Sequence, residues 1–264
     1  MHPYLNIAIK AARAAGNIIV RSMDRIDRIE ISSKSTATDF VTSVDRASEA
    51  EIIAIIQKAY PDHGILGEET GEHVGSNITD VQWIIDPLDG TMNFIHGFPQ
   101  FCVSIGVQIK GIMEHGVVYN PVSNELFTAT KGSGAQLDGR RIRVSDCKQI
   151  ETALIGTGFA HRKAGSTELS MTLQRLGVVL ESCADIRRAG SAALDLAYVA
   201  AGRLDGFWEA GLAPWDMAAG ALLVREAGGF VGDFAGNDQF LASGNIVAAN
   251  TKVYPGLLQL ISSL

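Results

Sequence analysis

Apolar residues at Leu5, Ala8, Ile9, Ala12, Ala15 and Ile19 recur at helical spacing, which predicts one amphipathic helix over residues 3 to 29. The same period returns at Ile52, Ile55, Ile56 and Ala59 after the polar stretch "KSTATDFVTSVD", giving a second helix that Pro61 closes. Two short apolar runs follow, "HGILGEET" and "VQWIIDPLDG", each read as a strand that finishes in acids. From residue 101 the texture alternates between apolar and polar positions, broken by Gly, Asn-Pro and Asp-Gly turn signals. That pattern predicts an antiparallel meander of about four strands, with Asp138-Gly139 as its best hairpin turn. Beyond a polar seam at residues 144 to 152, strand and helix alternate to the end of the chain, the pattern of an α/β layer. The expected organisation is therefore an α+β subdomain over residues 1–145 and an α/β subdomain over 146–264.

The end of the second acid-tipped strand raises the chemical question. Pro87 offers no N–H to a ladder and fixes its own φ, so the chain is expected to turn directly after Asp86. Asp86 and Asp89 then share one tight turn with the Leu88 carbonyl between them, and Gly90-Thr91 suits a helix start or a close approach of backbone to a ligand. If the strands at 65–67 and 83–85 are neighbours, Glu68 converges on the same sheet edge. Gathered carboxylates repel one another unless a positive charge sits between them. Carboxylate and carbonyl oxygens are hard ligands, suited to Mg2+, Mn2+ or Ca2+ more than to zinc, and the EF-hand spacing is absent. Mg2+ shares itself readily with substrate phosphate, so metal-assisted phosphate chemistry is the reading these acids favour. The plain alternatives are a turn or helix cap for Asp86 and Asp89, a solvated strand end for Glu68-Glu69, and a first-turn acid at a helix start for Asp216.

Composition narrows the classes. With 47% hydrophobic and 19% charged residues in 264, the chain has the balance of a globular protein. A formal net charge of −7 argues against nucleic-acid binding as its main business, although Arg140, Arg141, Arg143, Arg187 and Arg188 form local basic patches. Three scattered cysteines, Cys102, Cys147 and Cys183, show no zinc spacing and suit reduced thiols in the cytoplasm. Lys10 and Arg13 interrupt the apolar N-terminal run, so neither a signal peptide nor a membrane span is expected. There is no G-x-S-x-G elbow, no H-E-x-x-H set and no G-x-x-x-x-G-K-[ST] loop. A glycosidase carboxylate pair is disfavoured because Asp86 and Asp89 are too close in sequence to straddle a sugar.

"GILGEE", "WIIDPLDGTMNF" and "PWDMAAGALLVREAGG" together resemble the signature segments of the inositol monophosphatase family, and the likeness extends over nearly the whole chain. The resemblance implies a layered α-β-α-β-α sandwich, of the kind shared with fructose bisphosphatase, and Mg2+-dependent hydrolysis of phosphate monoesters, with Mn2+ as an alternative ion. By matched motif it implies Glu68, Asp86, the Leu88 carbonyl, Asp89 and Asp216 as metal ligands, with two or three ions per site. It implies catalytic roles for Thr91, Asp45 and Glu68, phosphate contacts from Gly90 and Thr91, polyol contacts from Ala192 and Glu209, and Lys34 near the site. A homodimer and lithium sensitivity are likewise family expectations. Met92 stands where many relatives have a second threonine, and "TGFAHRKAG" supplies no clear counterpart of a substrate-contacting serine. The alternatives are a related phosphatase acting on fructose bisphosphate, a nucleotide 3′-phosphate or histidinol phosphate. A further alternative is a binding protein of the RNA polymerase and ribosomal RNA antitermination machinery, a role associated with the bacterial branch that the latter half most resembles.

Overall fold

The computed structural model describes residues 2–24, 31–33, 40–73, 79–159 and 166–263. Helix α1 (Pro3–Met23) buries Leu5, Ala8, Ala12, Ala15 and Ile19, the periodic face read from the sequence. It stops at Met23, earlier than the expected 29, with Asp24 capping its end. A short antiparallel pair, β1 (Ile31–Ser33) and β2 (Phe40–Thr42), leads into α2 (Ser43–Ala59), whose start is closed by a capping box between Thr42 and Asp45.

An eight-stranded sheet follows. It comprises β3 (Gly64–Gly67), β4 (Gly71–His73), β5 (Val81–Asp89), β6 (Cys102–Ile109), β7 (Ile112–Asn120), β8 (Glu125–Thr130), β9 (Gly134–Leu137) and β10 (Arg140–Arg141), in the order β10-β9-β8-β7-β6-β5-β3-β4. The short helix α3 (Thr91–Ile95) separates β5 from β6. Strands β6 to β10 form the expected meander with one strand more than predicted, and Asp138 and Gly139 both take positive φ at its last hairpin. Strand β3 runs parallel to β5 in the register Ile65↔Trp83, the adjacency on which convergence of the acids depends.

The second sheet has five strands in the order β12-β11-β13-β15-β14: β11 (Leu154–Thr157), β12 (Asp185–Arg187), β13 (Gly206–Glu209), β14 (Phe230–Gly232) and β15 (Ile246–Ala249). Its helices are α4 (Ser166–Ser182), α5 (Ala192–Ala200), α6 (Pro214–Glu226), α7 (Phe240–Ser243) and α8 (Tyr254–Ser262). Contacts arrange these elements in five layers. Helices α1 and α2 lie on the eight-stranded sheet, α5 and α6 lie between the sheets, and α4 and α8 cover the far side of the second sheet. Three apolar clusters fill the spaces between successive layers.

Helix α6 sits close on the first sheet because glycines face it. A Cβ at Gly116 would lie 2.9 Å from the Ala219 carbonyl oxygen, and one at Gly106 would lie 3.1 Å from the Ala218 Cβ. Close backbone approach of this kind is what glycine in a strand permits. It brings the start of α6 to the edge where β3 and β5 end.

Candidate active site

Two neighbouring parallel strands deliver the first acids. Glu68 directly follows β3, and its N–H continues the ladder to the Ile85 carbonyl at 3.1 Å. Asp86 lies within β5, where its Oδ1 accepts the Leu88 N–H at 3.0 Å and its carboxyl is hydrogen-bonded to that of Glu68. The expectation that the strand ends at Asp86 is corrected here: β5 continues to Asp89, which pairs with Cys102 after a bulge-like register shift between Asp86 and Asp89. The missing N–H of Pro87 falls inside that irregularity, where no ladder donor is needed. The bulge turns Asp86 and Asp89 toward the same space.

Asp89 is held from the second half of the chain. Its Oδ2 accepts the Ser191 hydroxyl at 2.7 Å and the Ala193 N–H at 2.8 Å, at the first turn of α5. Asp216 enters from the first turn of α6, its Oδ2 accepting the Ala213 N–H at 2.7 Å. It thus has the first-turn contact of the plain reading and also meets the other acids. One carboxylate oxygen from each of Asp86, Asp89 and Asp216 lies within 4.8 Å of the others.

The electrostatics reflect this crowding. Burial, then the neighbouring charges of Glu68, Asp89 and Asp216, raise the Asp86 carboxyl well above its usual range. Burial and the charges of Asp89 and Glu68 do the same to Asp216. Asp89 is pushed up only to about 6, because the Ser191 hydroxyl and the Ala193 N–H support its charged form against burial. Three acids held together against both burial and mutual repulsion form a site short of positive charge, and hard divalent cations fit such an oxygen set.

Gly90 joins β5 to α3 at φ 99°, and a Cβ there would lie 2.9 Å from the Gln100 carbonyl oxygen, so both conformation and space require glycine. Thr91 Oγ1 lies 2.8 Å from Asp45 Oδ1 and 3.2 Å from the Leu88 carbonyl oxygen. Asp45 is buried and fixed in turn by the Thr42 N–H at 2.8 Å on its other oxygen.

Above the acids opens a cavity of about 160 Å³, lined by Glu68, Asp86, Asp89, Asp216, Gly90 and Thr91 at one end and by Arg188, Ala192 and Glu209 at the other. Glu209 ends β13, and burial together with the charges of Asp195 and Asp89 raises its carboxyl to about 8. Gly158, just past the neighbouring strand β11, makes room for it: a Cβ there would fall 2.1 Å from the Glu209 carboxyl. Every site residue named from the sequence therefore lines this cavity or supports its wall, except Lys34, which lies outside the described residues.

Sequence reasoning assigned Arg188 to a surface patch, whereas it lines the cavity with its guanidinium 5.5 Å from the Phe159 ring centre. It also passed over Asn93, whose Nδ2 donates to the carbonyls of Gln100 at 2.6 Å and Ala189 at 2.8 Å, tying α3 to the loop before α5. The position of Asn93 two residues after Thr91, inside the most distinctive motif, was the available signal.

Comparison with known proteins decides the family. The profile of the inositol monophosphatase family matches residues 1–264. The chain belongs to the inositol monophosphatase family. Its relatives include Nus factor SuhB of Pseudomonas aeruginosa, 56% identical over 262 residues that cover 99% of this chain and 96% of that protein. Among solved structures, the extragenic suppressor protein SuhB from Bartonella henselae superimposes with a TM-score of 0.94 at 43% identity, covering 98% of each chain. Inositol monophosphatase from Anabaena superimposes with a TM-score of 0.87 at 38% identity, covering 99% of this chain and 96% of that one. The layered sandwich is thus the inositol monophosphatase fold. Among the described residues, no helix is long and apolar enough to cross a membrane.

Proposed function

We propose that the chain hydrolyses phosphate monoesters of small polyols, inositol monophosphate foremost, with Mg2+ as its resident cation and Mn2+ as an alternative. The observation that carries this reading is the meeting of Asp86, Asp89 and Asp216 oxygens within 4.8 Å at the floor of a cavity that Glu209 closes. Glu68, Asp86, the Leu88 carbonyl, Asp89 and Asp216 would hold the cations. When bound, such cations supply Lewis-acid activation of water and neutralise charge building on the phosphoryl and leaving oxygens.

The remaining work falls to the chain itself. Donation from the Thr91 hydroxyl to Asp45 at 2.8 Å leaves the Thr91 oxygen free to accept a hydrogen bond from the attacking water and so to orient it. Glu68, beside Asp86, shares that orienting role. Backbone N–H groups at Gly90 and Thr91 would hold the phosphate, on a turn whose conformation Gly90 permits. Ala192 and Glu209 face the alcohol moiety, with Glu209 supplying hydrogen bonds to hydroxyls. Arg188, at the same wall, favours alcohols that carry further electron-rich oxygens. Chemistry of this kind relies on positioning and charge stabilisation, so no covalent nucleophile is required.

Release of inorganic phosphate from inositol monophosphate, with and without Mg2+, tests the proposal against a panel of fructose bisphosphate, nucleotide 3′-phosphate and histidinol phosphate. Failure to release phosphate from any monoester in Mg2+ would overturn it, and strong preference for another ester would move the substrate assignment. Two further expectations accompany it. Half-exposed Leu169, Leu173 and Leu180 line up along α4 at helical spacing, the apolar stripe a homodimer would cover, and light scattering measures the assembly. Unpaired Cys102, Cys147 and Cys183 suit a reducing cytoplasm.

A second reading rests on the name Nus factor borne by the relative at 56% identity: association with RNA polymerase in an antitermination complex. Exposed Arg140, Arg141, Arg143 and Arg187 are the surface candidates, together with Arg188 at the cavity wall. Rescue of a deletion phenotype by an Asp86→Asn protein would favour binding as the cellular role, and loss of rescue would favour the enzyme.

A further inference from the structure

Helix α2 carries a second buried carboxylate one turn beyond Asp45. Glu49 is fully buried, and its oxygens accept the Glu69 N–H at 2.9 Å, the Thr70 N–H at 2.9 Å and the Thr70 hydroxyl at 2.6 Å. These donors belong to the two residues that directly follow Glu68. A Cβ on Gly67, immediately before Glu68, would lie 2.7 Å from Glu49 Oε2, so the carboxylate fills the space a side chain would occupy. The Glu68 backbone is therefore gripped on both sides, by its own bond to the Ile85 carbonyl and by Glu49 just beyond it.

Cost and spacing both say this arrangement is specific. Burying a carboxylate is expensive unless it is fully hydrogen-bonded, and here three donors converge from one tight turn. A turn between two short strands could be closed by an Asx or Gly pattern of its own, with no long-range acid. Asp45 and Glu49, four residues apart, lie on one face of α2, so that helix holds Thr91 with one acid and the Glu68 turn with the other.

We propose that Glu49 is a positioning residue that fixes Glu68 beside Asp86 and thereby sets the affinity of the site for divalent cations. This rests on the metal-dependent reading of the site. Partners that orient a ligand from behind typically change metal affinity by about 10- to 100-fold when removed. Glu49→Gln keeps the size and one acceptor oxygen but turns an amide N–H2 toward at least one of the backbone donors, so the turn loses part of its anchor.

The test is calorimetric titration of the whole chain with Mn2+ alone, beside Mg2+-dependent phosphate release. Glu49→Gln should weaken Mn2+ binding by about tenfold or more, with KM for the ester at saturating Mg2+ within about twofold of wild type. Thr70→Val, which removes one of the three donors and leaves both backbone bonds, should weaken Mn2+ by about threefold. Ile52→Val, a buried change on the same helix, should lower thermal stability and leave Mn2+ affinity unchanged, which separates positioning from general loosening. Should Glu49→Gln fail to fold, Thr70→Val with unchanged Mn2+ affinity overturns the inference, as does a folded Glu49→Gln that binds Mn2+ normally. A wild-type chain that binds no Mn2+ would instead sink the metal-dependent reading itself, and this inference with it.

Discussion

Replacing Asp86 by asparagine should change the sign of its effect on stability when Mg2+ is added. The asparagine amide oxygen retains the acceptor that the Leu88 N–H uses at 3.0 Å, so the bulge survives. Without cations, the substitution removes a buried acid whose charged form is opposed by burial and by Glu68, Asp89 and Asp216. Relief of that opposition stabilises the variant at neutral pH, where the raised carboxyl disfavours folding. With the cation at about one hundred times its Kd, wild type gains about 2.7 kcal/mol by linkage. At roughly 2–4 °C per kcal/mol for a chain near this size, that raises Tm by roughly 5–11 °C. The variant has lost a ligand and should gain little. Thermal melts of both proteins, in EDTA and across a Mg2+ series, therefore cross: the variant melts higher in EDTA and lower in Mg2+. An equal Mg2+-induced rise in both proteins would refute the assignment of Asp86 to the cation site, and a lower Tm for the variant in EDTA would refute the argument from repulsion.

Thr91→Val removes the hydroxyl shared with Asp45 and should lower kcat by about 100-fold or more with Mn2+ affinity little changed, read by steady-state phosphate release and calorimetry. Gly116→Ala forces a methyl against the Ala219 carbonyl of α6 and should cost about 1–3 kcal/mol, read as a fall in Tm, with Mg2+ activation weakened because Asp216 rides on that helix. Glu209, with its carboxyl raised from 4.5 to about 8, binds its proton more tightly in the folded state, so this group favours folding below about 4.5 and loses that contribution as pH rises toward about 8. In EDTA, the Tm of Glu209→Gln relative to wild type should accordingly climb across that window and level off above it; a flat difference would contradict the burial argument.

How far the sequence reveals the site depends on how local each cause is. The periodic apolar face of α1 and the Asp138-Gly139 turn are set by neighbours along the chain, and both are legible. Asp86 and Asp89 were readable as a pair because each abuts an apolar run, but the bulge that aims them together depends on pairing with β6 and is visible only in register. Strands β1, β2, β4 and β14, three residues each, are not legible in the sequence because their placement comes from pairing with neighbours and not from any local period. Arg188 looks like any exposed arginine in sequence, and its place in the cavity follows from where β12 falls in the second sheet. Asp195 is a buried acid one turn inside an alanine-rich helix, which apolar periodicity alone could not mark as part of the charged wall.

The low seat of α6 on two strand glycines has a mechanical consequence. Because Asp216 arrives on that helix while Asp86 arrives on the sheet beneath it, any cation bound between them acts as a rivet through the seam of the sandwich. Slow amide exchange along α6 should then rise and fall with ion occupancy, making the innermost helix of the fold a reporter of what happens at its outermost tip.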